Sequence, residues 1–197
     1  MTGQWQKHDM LDAQALEVFE EAYPNVLGVS YKPITPYYTQ LVAGTNYIFT
    51  VEATVTSPTA QPSIKYLQTF QALPQAGGSV QKATILENLP LKVNPVLDFF
   101  LEQSQIGGWQ PHTVLSAQAL QVFNAAKPHL IGYDYTPVAP YFSQVANGVN
   151  YVFSAIGKPV TQHGQPQTLV FIRTCQSNEG NIEPGIIIGG PNVENVA

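Results

Sequence analysis

The residues that could do chemistry in this chain are few and badly matched to one another. Cys175 is the lone cysteine of 197 residues, and a thiol nucleophile needs a histidine poised beside it. It falls instead in the alternating run Leu169-Val170-Phe171-Ile172-Arg173-Thr174-Cys175, which reads as a strand, so a core or sheet-edge place is expected for it. His8 and His112 stand at equivalent positions of a repeat, but no other His, Cys or acid has metal-ligand spacing to them, and no metal site is expected. His129 and His163 read as surface residues. The acids are scattered with no repeated pair for general acid/base work, and no GxxxxGK phosphate loop occurs. We therefore expect no enzyme, no catalytic residue and no cofactor.

Composition narrows the partners. Charged residues make up 11% of the chain, against about 25% in ordinary soluble domains, and the net charge is −5 with Arg173 the only arginine. Without a basic patch a nucleic-acid ligand is not expected. The apolar runs are only a few residues long, so no membrane span is expected either. A single cysteine allows no intramolecular disulfide and suits a reducing compartment. The segment Met1 to Lys7 has no basic stretch, apolar core or cleavage site of a signal peptide. A cytoplasmic location is expected on that ground, with secretion as the alternative if a leader precedes this chain.

The elements that must position any site come from a duplication. A shift of 104 residues aligns 5–50 with 109–154 without a gap. Trp5-Gln6 matches Trp109-Gln110, Ala13-Gln14-Ala15-Leu16 matches Ala117-Gln118-Ala119-Leu120, and Asn46-Tyr47 matches Asn150-Tyr151. The period is too long for a solenoid, so each copy should carry its own core. Leu11, Ala15, Val18, Phe19 and Ala22 make one apolar helix stripe, as do Leu115, Ala119, Val122, Phe123 and Ala126. Asp12 or Asp9 could cap the first helix and Ser116 the second. From Tyr47 the pattern alternates: Tyr47, Phe49, Val51 and Ala53 point one way, Ile48, Thr50, Glu52 and Thr54 the other, as in a strand with one buried face. Further strands are expected near 63–73 and 79–87, and again near 167–176 and 182–188. Pro33 and Pro36 argue for a bulge or an edge in the preceding β-rich stretch. The domains read as 1–87 and 107–197, joined by a connecting segment, 88–106, with a short helix that begins after Asn94-Pro95.

The most informative stretch is Gln40-Leu41-Val42-Ala43-Gly44, a hairpin tip followed by Thr-Asn-Tyr and an alternating strand. With Gly3 before the helix and Leu73-Pro74 after the strand, it resembles the cystatin family of papain-like cysteine protease inhibitors, closest to the disulfide-free stefin and plant-type members. The resemblance implies an α+β fold, one helix packed across a four- to five-stranded antiparallel sheet, duplicated in tandem. It also implies a wedge in which Gly3, Gln40, Leu41, Val42, Ala43, Gly44, Leu73 and Pro74 fill the protease cleft. The residue types suit that task. Leu41, Val42 and Ala43 offer apolar area at about 25 cal/mol per Å² buried, Gly44 tolerates a tight turn, and Leu73-Pro74 is stiff, with little entropy left to lose.

Copy two departs from this pattern. Its tip reads Gln144-Val145-Ala146-Asn147-Gly148, so the central valine has become alanine, with two fewer carbons at about 0.8 kcal/mol each when buried. About where Leu73-Pro74 should recur stands the polar Gln176-Ser177. Gly107 and Gly108, within Ile106-Gly107-Gly108-Trp109, complete a second, weaker site. The expected function is thus reversible, tight-binding inhibition of a papain-like cysteine protease, mainly by copy one. A latexin-like metallocarboxypeptidase inhibitor and a non-inhibitory interaction or structural module are the alternatives. The chain is expected as a monomer or a domain-swapped dimer.

Overall fold

The computed structural model describes residues 3–57, 59–86, 89, 94, 96–100, 108–127, 133–160 and 166–189. The chain divides into two compact units, Met1–Asn94 and Pro95–Ala197. In the first, β1 (Gln6–His8) precedes α1 (Ala13–Ala22), followed by β2 (Val29–Val42), β3 (Gly44–Val55), β4 (Ser63–Ala72) and β5 (Thr84–Leu86). In the second, β6 (Gln110–His112) precedes α2 (Ala117–Ala126), followed by β7 (Tyr133–Val145), β8 (Val149–Pro159), β9 (Thr168–Gln176) and β10 (Ile186–Gly189). Residues 96–100 are also helical. The rest of the expected connecting segment lies largely outside the described residues.

Each helix begins where a short polar side chain can take an orphan amide. Asp12 Oδ1 accepts from the Ala15 N–H at 2.7 Å, and Ser116 Oγ accepts from Ala119 at 3.1 Å. Their buried stripes are Ala15, Val18, Phe19, Ala22 and Ala119, Val122, Phe123, Ala126. These pack on one sheet face, against Tyr37, Phe49, Val51 and Leu67 in the first unit and Tyr141, Phe153, Val170 and Ile172 in the second. The register of β2 on β3 slips between Ile34 and Tyr37, at Pro36, and that of β7 on β8 slips between Val138 and Tyr141, at Pro140.

The expected fold class is overturned. Of the described residues 51% are strand and 17% helix, in ten strands and only short helices. This is a sheet-dominated chain, not a cystatin-like helix across a four- to five-stranded antiparallel sheet repeated in tandem. The physical reason is that the sheet faces turned away from the helices are buried as well. In the first unit Ile34, Ile48 and Thr50 are at 0% exposure and Tyr38 at 1%, although Ile48 and Thr50 were expected on an open face. In the second, Val138, Phe142 and Val152 are at 0%. Part of the cover comes from the non-repeating segment. Asn94 donates to the Tyr38 hydroxyl at 3.1 Å, while Phe100 stacks on Phe142 and meets Trp109 edge-on. A strand buried on both faces needs no solvent-facing polar row, which is how most of the core can sit in sheet.

Six tyrosines are packing residues of the two cores. Tyr31, Tyr37 and Tyr47 belong to the first core, and Tyr135, Tyr141 and Tyr151 to the second.

Candidate functional site

In the first unit β2 and β3 pair down to Val42 opposite Gly44, leaving Ala43 as the turn. Leu41 is 63% exposed, Ala43 is exposed and Val42 half-buried. Gly44 is different: it is buried, with φ +139°, and a Cβ there would lie 2.5 Å from the Gln71 carbonyl oxygen and 2.5 Å from the Phe70 ring. Only glycine admits β4 this close at this backbone angle.

Two further segments reach the same end of the sheet. Gly44 is paired with Ala72, and the chain then turns through Leu73 and a 3-10 turn, Pro74–Ala76, to return at Val80 opposite Gln71. The Leu73 carbonyl accepts from Ala76 at 2.8 Å and Gly78 at 3.0 Å, so the loop is braced by its own backbone while Leu73, 45% exposed, and Pro74 face outward. On the other side of β2, the Gly3 N–H donates to the Leu41 carbonyl at 2.9 Å, and a Cβ on Gly3 would sit 2.9 Å from that oxygen. Gly3, Leu41 to Gly44 and Leu73-Pro74 thus form one edge.

Gln40 is part of the edge without facing out of it. Its Nε2 donates to the Gly3 carbonyl at 2.9 Å and its Oε1 accepts from Asn46 Nδ2 at 3.1 Å. Behind the edge lies a set that sequence reading passed over as a function. His8 Nε2 is 2.7 Å from the Thr39 hydroxyl and the ring stacks on Tyr37 at 4.6 Å. The Tyr37 hydroxyl donates to Asp12 Oδ2 at 3.2 Å. Burial, and then the Asp12 carboxylate, push the Tyr37 hydroxyl up to about 12. The second unit repeats the histidine: His112 Nε2 is 2.7 Å from Ser143 Oγ and the ring stacks on Tyr141 at 4.5 Å. The paired His8 and His112 were visible in the repeat, but their hydroxyl partners sit 31 residues away and carry no local signal.

The second unit builds a different edge. Val145 is 85% exposed, Ala146 and Asn147 are exposed, and Asn147 and Gly148 take positive φ of 50° and 119°. Gly148 repeats the Gly44 packing, with a Cβ 2.5 Å from the Gln176 carbonyl. That contact equates Gln176 with Gln71, so the counterpart of Leu73-Pro74 is Asn178-Glu179 by count, not Gln176-Ser177 as expected from sequence. The intervening loop shrinks from residues 72–79 to 177–181, eight residues to five, and is closed by Ser177 N–H on the Asn181 carbonyl at 2.8 Å. Gln144 and Gly108 are half-buried; Gly107 lies outside the described residues.

Among the described residues, no group of three or more His, Cys, Asp or Glu side chains could hold a metal ion, and no helix is long and apolar enough to cross a membrane. Cys175 is half-buried in β9, opposite Asn150. No protein-family model and no curated protein sequence matches the chain.

Proposed function

We propose that the first unit is a reversible inhibitor of papain-like cysteine proteases, acting as a wedge whose edge is Gly3, Leu41 to Gly44 and Leu73-Pro74. The observation that carries this reading is the convergence of the three segments, 70 residues apart in sequence from Gly3 to Leu73, on one end of one sheet. The edge is apolar at its outermost points and its backbone is internally bonded, so little conformational freedom remains to be lost on entering a narrow apolar groove. Occlusion of this kind asks no chemistry of the inhibitor. The resemblance of Gln40 to Gly44 to the cystatin tip supports the choice of protease class.

The second unit presents Val145 beside a shorter, polar loop, and we assign it weak inhibition or none. The test is incubation of papain with the full chain, followed by dilution and recovery of the protein. Inhibition that reverses on dilution, with the chain recovered uncut, is expected. Papain activity unaffected at micromolar chain, or inhibition of a carboxypeptidase A-type enzyme in its place, overturns the reading.

A further inference from the structure

We infer that Gln40 is a positioning residue: its carboxamide ties the N-terminal segment to the first hairpin, so that the edge exists before any partner arrives. This rests on the inhibitor reading for its purpose, though its geometry stands alone. A primary amide has a donor and an acceptor on opposite sides of one plane. Gln40 spends the donor on the Gly3 carbonyl and the acceptor on Asn46 Nδ2, so one side chain bridges the incoming segment and the outgoing strand. The Gly3 N–H closes the second bond of the same junction, on Leu41. Among the described residues, these two bonds lie tipward of the β1–β2 pairing, which runs from Gln6 to His8. A carboxamide is also the right group: a carboxylate would keep the acceptor for Asn46 but face the Gly3 carbonyl with a second oxygen.

Gln40→Glu in the full chain therefore separates the two bonds. With the clamp lost, exchange of the Gly3 amide should quicken about three- to tenfold, the range expected for loss of one neutral hydrogen bond, while the Tyr47 and Phe49 amides keep their protection. Inhibition of papain should weaken by a similar factor. In a Gly3→Pro background, where the amide donor is gone, adding Gln40→Glu should cost almost nothing more. Unchanged Gly3 exchange in Gln40→Glu overturns the clamp, whatever papain does. Faster exchange with unaltered inhibition, or full additivity with Gly3→Pro, overturns the positioning role. A wild-type chain that leaves papain fully active removes the inhibitor reading while the exchange result still decides the clamp.

Discussion

Two glycines show what a single residue type does here. At Gly44 and Gly148 an added methyl meets a neighbouring carbonyl at 2.5 Å, in a backbone conformation that L side chains avoid. At Gly28 the φ is also positive, +77°, but nothing lies within 4 Å. Gly44→Ala should thus cost about 2–3 kcal/mol in urea unfolding, strain and displacement together, against about 1 kcal/mol for Gly28→Ala. Equal costs would mean that the contact with β4 is relaxed at little expense. Buried tyrosines give a second test. Tyr31, Tyr37, Tyr47, Tyr135 and Tyr151 are all raised above the ordinary value of 10, first by burial, with Tyr37 at about 12. Below pH 10 both folded and unfolded chains keep these hydroxyls neutral. As pH rises from 10 towards 12 the unfolded chain ionises first, so stability should fall over that window. Tyrosinate absorbance that titrates fully before any loss of fold would contradict this. Gly44 was legible in the sequence as a turn glycine; that β4 passes against it was not, because Gln71 lies 27 residues further on.

At the scale of elements, helices and most strands were readable because each carries its own periodicity and cap. Asp12 and Ser116 stand at equivalent helix starts, yet Asp12 also accepts from Tyr37, across 25 residues. Asp12→Ala should accordingly cost more than Ser116→Ala, about 2 kcal/mol against about 1, read by amide exchange in α1 and α2 separately. Similar losses in both helices would reduce Asp12 to a plain cap. The sheet misled the reading for a definite reason. Alternation assigns Thr50 to solvent because its side chain is polar, whereas it lies at 0% exposure beside Ile34 and Tyr66 in register. Burial of that face depends on groups distant in sequence. Asn94 on Tyr38 and Phe100 on Phe142 come from a stretch without a repeat partner, where self-comparison has nothing to say.

For the whole molecule, duplication produces two units whose ends differ. The first unit's second loop has eight residues, with Leu73 and Pro74 exposed; the second unit's has five, among them Asn178 and Glu179. Grafting residues 72–79 in place of 177–181 should confer on the second unit a measurable affinity for papain in a chain whose first edge has been disabled. No gain would place the difference elsewhere, at Val145 to Gly148. The most direct test of the central claim is calorimetric titration of papain with the full chain and with Leu41→Asp/Leu73→Asp, two changes at exposed positions that leave the core untouched. We expect one site per chain in the wild type and a loss of at least about a hundredfold in the variant, since two apolar side chains worth roughly 1.5–3 kcal/mol each on burial are replaced by charges. Binding of equal strength in both proteins, or none in the wild type, would contradict the wedge.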